Sequence, residues 1–200
     1  MRRAYKNPTS SILTNGLRYQ PNNGANNKKI AELLLQEQKG YCAYTDELIS
    51  RTDAKDIEHF NPHLKGTAND HYNNWFVVKH QWNKEKSQKW ADFQPVLHPT
   101  TPDFEDRIIY MSGDYIAASN DEEASNLIKL LQLDDLMLAE KRKKYINRRK
   151  KEIAALGLGH SPATYFAILM EEEMNNVLYP RAIKEEFGVD VFSVQNSSKA

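Results

Sequence analysis

The sequence predicts an α+β fold, mainly helical, in which one β-loop-β-α unit is embedded among helices and a separate β-hairpin follows. Three observations carry this. Residues 57–60 and 75–78 are short runs dominated by aromatic and β-branched side chains (Ile57, Phe60; Trp75, Phe76, Val77, Val78), each long enough for one strand. After Trp82 the composition turns to residues that helices tolerate, including Lys84, Glu85, Lys86, Gln88, Lys89 and Ala91. Ser112-Gly113 then divides residues 107–111 from 114–118 as a two-residue turn divides the strands of a hairpin. With 200 residues, 40% of them hydrophobic, the chain suits one compact domain, or one core with an appended helical part.

In chain order, residues 1–27 form a turn-rich arm (Pro8, Asn15-Gly16, Pro21, Asn22-Asn23-Gly24) with little periodicity, expected to lie on the domain. Asn27 is placed to cap a helix over 28–39, with Ile30, Leu33 and Leu34 on its apolar side and Gly40 closing it. Residues 28–95 make the core unit, and 96–190 a hairpin and helical region packed on that core. Within the latter, Asn120 before three acids opens a helix to Leu131, and Asp134 caps another over 135–156. Ser161-Pro162 starts a third, whose Tyr165, Phe166 and Leu169 give it an apolar side. Residues 191–200 read as a tail.

Composition narrows the function. No apolar run approaches the roughly 20 residues of a membrane span, and the opening Met-Arg-Arg-Ala-Tyr-Lys lacks the apolar segment of a signal peptide. The single Cys42 excludes a disulfide framework and fits a reducing compartment, so a cytoplasmic location is expected. The 27 basic and 27 acidic residues cancel, so attraction to nucleic acid must come from local patches. One such patch exists. Residues 141–151 hold eight basic side chains in eleven, and Arg148, Arg149, Lys150 and Lys151 are the candidates for phosphate contact, with a solvated helix face as the alternative.

The chemistry-bearing residues concentrate between Asp56 and Lys86. A carboxylate and an imidazole stand side by side at Glu58-His59, followed by two amides, Asn74 and Asn83, and an ammonium, Lys86. Hydrolysis of a phosphodiester needs an activated water, positive charge beside the phosphoryl oxygens and help for the departing oxygen, and one divalent ion with a general base can supply most of this. In β-loop-β-α context these residues resemble the HNH, or ββα-metal, endonuclease motif. The resemblance implies His59 as general base, Glu58 and Asn83 as ligands of Mg2+ or Mn2+, and Asn74 as the residue that holds the loop and orients the imidazole. Lys86 either neutralises phosphate charge or is a solvated helix lysine. Asp56, two residues before Glu58, shares its strand face and is an outer candidate. An ordinary imidazole would make activity rise through pH 6 to 7.

Two departures from the family matter. Glu58 stands where Asp is more usual. The two C-x-x-C pairs that frame a structural zinc in many members are Cys42-Ala43-Tyr44-Thr45 and Lys79-His80-Gln81-Trp82 here, so no structural zinc is expected and packing by Tyr41, Tyr44 and Trp82 must substitute. More narrowly, residues 1–160 are similar to the PtuB-like nucleases of the Septu and retron anti-phage systems, which implies an ATPase partner subunit. The arm and the apolar side after Ser161 are its candidate docking surfaces, with core packing as the alternative for the latter. DNA is the expected substrate. Two alternatives stay open: an RNA- or tRNA-directed nuclease, and an assembly subunit carrying a decayed HNH unit.

Overall fold

The computed structural model describes residues 1–87 and 89–197. The architecture is α+β, with two small two-stranded antiparallel sheets among helices. The arm carries α1 (Ser11–Thr14) and leads into α2 (Gly24–Glu37). Strands β1 (Lys55–His59) and β2 (Trp75–Lys79) pair with Ile57 opposite Val77 and His59 opposite Trp75, and α3 (His80–Ser87) follows without a break. The β-β-α order predicted from composition is therefore present. A short α4 (Phe104–Arg107) precedes the hairpin of β3 (Ile108–Met111) and β4 (Asp114–Ala117). Helices α5 (Glu122–Leu131), α6 (Leu136–Ala155), α7 (Pro162–Glu172), α8 (Pro180–Phe187) and α9 (Val191–Ser197) complete the chain.

Several boundaries differ from expectation for identifiable reasons. Asn23, not Asn27, caps α2 by accepting from the Asn26 N–H, and the Asn27 amide is spent on the arm, where it bonds both backbone groups of Gln20. Asn120 cannot cap α5, because its φ of 60° is left-handed whereas an N-cap sits in the extended region. Asp121 caps it instead, and Asp135 rather than Asp134 caps α6. The segment read as a tail begins with α9, and Val191 is buried, so the chain stays helical and packed there. Gly113 at φ 100° makes the hairpin turn and lies so close to α6 that an added Cβ would meet the Ala139 carbonyl oxygen at 2.6 Å.

Burial divides into two apolar clusters. One joins the arm, α2, the β1–β2 sheet, the hairpin and α5. The other is built by α6, α7 and α8 with Val191, and it contains Tyr165 and Phe166, so the apolar side after Ser161 is core and not a docking surface. The arm is likewise committed: Met1 is fully buried, and the Arg2 guanidinium lies against the rings of both Tyr41 and Phe192, 5.2 and 4.5 Å from their centroids. Among the described residues no helix is long and apolar enough to cross a membrane.

Candidate active site

The alternation of β1 decides what faces what. Asp56 and Glu58 point toward α3, whereas Ile57 and His59 point toward the arm and α2, as residues one apart on a strand must. Glu58 and His59, adjacent in sequence, therefore do not address one point in space.

His59 is enclosed, with its ring edge-on to Tyr19 (centroids 4.5 Å apart) and to Trp75 (6.4 Å). Burial lowers its pKa to about 4 against the opposing pull of Asp70, so the ring is neutral throughout the physiological range. The expected rise of activity through pH 6 to 7 is thereby displaced downward. Asp70 Oδ2 lies 3.1 Å from His59 Nε2, a hydrogen-bond distance without the alignment of one, and the nitrogen is otherwise unpartnered. The carboxylate is itself fixed by the Trp75 indole N–H (2.5 Å) and the Gly66 N–H (3.1 Å). Nothing in the pattern marked Asp70; its only sign is a loop carboxylate four residues before Asn74.

Asn74 ties the loop after His59 to the segment before β2. Its Oδ1 accepts from the Asn61 N–H at 2.7 Å, its Nδ2 donates to the Asn61 carbonyl at 3.2 Å, and its own carbonyl accepts from the Phe60 N–H at 2.8 Å. The chain leaving His59 is thus clamped to the start of β2. A longer contact, 3.4 Å from Asn74 Nδ2 to Asp70 Oδ1, links the clamp to the carboxylate beside the imidazole.

Glu58 and Lys86 form a buried ion pair, each about 1% exposed. The ammonium also donates to the carbonyls of His59 (2.9 Å) and Phe60 (2.5 Å), so its three N–H bonds are used, and it sits 4.8 Å from the Trp90 ring centroid. Burial raises the Glu58 pKa and lowers that of Lys86, each toward its neutral form. Both readings of Lys86 from sequence fail: it is neither solvated nor able to reach a phosphate. Nor does Glu58 with Asn83 fit a divalent ion, since the Glu58 side chain is 1% exposed and its Oε1 is already held by Lys86 and the Tyr44 hydroxyl (3.3 Å).

Asn83 belongs to a second, outer layer on the same face. Its Nδ2 donates to Asp56 Oδ2 at 2.9 Å, and His80 Nδ1 lies 2.8 Å from the same oxygen. This layer opens on a groove of about 810 Å³ along β1, bordered by Tyr19, Asn27, Lys28, Lys55, Lys65 and Asn83. The sequence does not single out His80, because a lone histidine carries no signal until a carboxylate is shown beside it.

At the positions of the lost zinc thiols, the Cys42 thiol is buried, and burial raises its pKa; hydrogen bonds from Thr45 and from the Lys79 and Tyr44 backbone oppose this. Lys79 pairs with Glu47 at 3.2 Å. Tyr41 and Tyr44 are fully buried and Trp82 half-buried.

The basic run on α6 is not one surface. Arg142 and Arg149 share the inward stripe with Ile146 and Ile153. Arg142 donates to the Gly113 and Leu133 carbonyls, and Arg149 to the Tyr165 hydroxyl at 2.8 Å. Arg149 is therefore removed as a phosphate ligand. Arg148 pairs with Glu152 at 2.9 Å and Lys150 with Glu186 at 2.6 Å, leaving Lys151 exposed. Comparison of the chain with protein-family models, with characterised proteins and with solved structures finds no match.

Proposed function

We propose that the chain is a divalent-ion-dependent HNH-type endonuclease that hydrolyses phosphodiester bonds of nucleic acid, DNA foremost. The observation that supports this most is the neutral imidazole at the end of β1, beside an aspartate and behind a loop clamped by Asn74, within a β-β-α unit that carries Asn83 on its helix. A neutral imidazole can take the proton of a water as its oxygen attacks phosphorus, and Asp70 favours the imidazolium that results. Substrate approach requires Tyr19 to move off the ring. The anti-phage setting and the ATPase partner are proposed on the resemblance alone.

Purified protein incubated with plasmid, single-stranded DNA and tRNA, each with Mg2+ or Mn2+, tests the reading. Cleavage lost in a folded His59→Ala variant is the expected outcome, and cleavage of tRNA alone would move the substrate to RNA. A second reading, an assembly subunit with a decayed site, is favoured by the enclosure of both Glu58 and His59, each under 5% exposed. It is adopted if the folded protein cuts none of the substrates.

A further inference from the structure

We propose that Asp56, His80 and Asn83 form a divalent-cation site at the mouth of the groove, one layer outward from Glu58. The inference rests on the nuclease reading for its purpose but not for its geometry. Three potential ligands from two elements meet at Asp56 Oδ2, and the elements are locked together: the His80 N–H donates to the Ala54 carbonyl at 3.0 Å, fixing the start of α3 against the start of β1. His80 and Asn83 are three apart on the helix and so share its face.

The spacing suits an ion. Around an octahedral cation with bonds of about 2.1 Å, neighbouring ligands lie about 3.0 Å apart. His80 Nδ1 and the Asn83 amide stand 2.8 and 2.9 Å from Asp56 Oδ2. Rotating the Asn83 amide presents its oxygen where its nitrogen now points, and the Nε2–H tautomer of His80 would leave the Nδ1 lone pair to the ion. Among the described residues no group of three or more His, Cys, Asp or Glu side chains stands together for a metal, and this set has two of these plus an amide. One carboxylate with an imidazole and an amide leaves coordination positions open and fits an ion that keeps several waters. One imidazole beside two oxygen ligands favours Mn2+ over Mg2+.

Accessibility separates this layer from the inner one. The Asp56 side chain is 30% exposed and that of His80 58%, against 1% for Glu58. Charge supplies the purpose. The groove is lined by three lysines, Lys28, Lys55 and Lys65, and three acids, Glu32, Asp53 and Asp56, which cancel. A bound divalent ion makes it net positive, so a phosphodiester would be drawn there only with the metal present.

The test is Mn2+ binding to the full chain without nucleic acid, followed by the electron paramagnetic resonance signal of free Mn2+ and by paramagnetic broadening of the histidine ring signals. One site is expected, with the His80 signals broadened first. Asp56→Asn and His80→Gln should each weaken binding at least tenfold, whereas Glu58→Gln should leave it unchanged. Binding that is absent, or lost in Glu58→Gln but kept in the other two, overturns the proposal. If Glu58→Gln does not fold, the wild-type broadening decides: loss centred on another histidine refutes the site. The two readings fail separately. Mn2+ held as described with no substrate cut removes the nuclease and keeps the metal site, and cutting without Mn2+ binding at His80 does the reverse.

Discussion

Replacing Lys86 by Met distinguishes a lysine that holds the fold from one that serves the substrate. The ammonium satisfies three oxygens in an enclosed place: Glu58 Oε1 and the carbonyls of His59 and Phe60. Removing one member of a buried ion pair costs about 3–5 kcal/mol, and a carbonyl left without a donor about 1–3 kcal/mol. The terms overlap, and Glu58, already pushed toward its neutral form, can relieve part of the loss by taking a proton. A net destabilisation of about 4 kcal/mol follows. With a urea dependence of roughly 2 kcal/mol per molar, the midpoint of unfolding should fall by about 2 M. The Glu58→Leu/Lys86→Met pair should recover much of this, because the uncompensated carboxylate goes, but not all, because the two carbonyls remain unpaired. Urea titration followed by tryptophan fluorescence measures both, since Trp75 and Trp90 lie in the same core. An unchanged midpoint in Lys86→Met, with weakened nucleic-acid binding, would refute the reasoning and return Lys86 to phosphate contact.

His59→Ala should lower cleavage by about 10²-fold or more while the fold persists, and the acid limb of the wild-type rate should fall near pH 4, since the imidazole is neutral above that value. A limb at pH 6 to 7 would show that the ring is solvated in the working state. Arg149→Ala should destabilise by about 1–3 kcal/mol through the Tyr165 hydroxyl contact, whereas Gln at Arg148, Lys150 and Lys151 should cost little. If those three do touch phosphate, the slope of log affinity against log salt should flatten by at most about 2.7, from roughly 0.9 per contact. Burial holds the Lys6 ammonium, seated against the rings of Tyr72 and Phe76, at a pKa of about 7. Between there and the unfolded value of about 10.4 the unfolded chain binds more protons, so wild-type stability should gain from this group as pH rises. Lys6→Met should abolish that gain and raise the melting temperature at pH 7; an unaltered pH dependence would show that the ammonium is hydrated.

Local pattern carried the fold as far as local pattern reaches. The two strands, the helix directly after them and the Ser112-Gly113 turn follow from composition over four to eight residues, whereas Asn74, expected to open the second strand, ends the short 3-10 turn just before β2. What was not legible depends on contacts distant in sequence. Lys86 looks like any helix lysine until Glu58, 28 positions earlier, is brought against it. The basic run reads as a surface because charge density alone does not say which side of α6 meets α7; the stripe of Arg142, Ile146, Arg149 and Ile153 does, once the helix phase is fixed. Asp70 and His80 were passed over because each is ordinary alone and acquires meaning only beside His59 or Asp56. The shifted caps have a smaller cause: where two cap-forming residues adjoin, backbone conformation chooses between them.

The seat of Arg2 against Tyr41 and Phe192 sets an order on events at the ribosome. The β-β-α unit is complete once about 95 residues have emerged, but the aromatic that closes over Arg2 comes almost 100 residues later. At synthesis rates of about 5–20 residues per second, that gap lasts roughly 5–20 s. Over this interval the arm bearing Tyr19 lacks one of its fastenings, and His59 is less securely covered than in the finished chain. A nascent chain from which Phe192 has not yet emerged is the form in which the imidazole is most open.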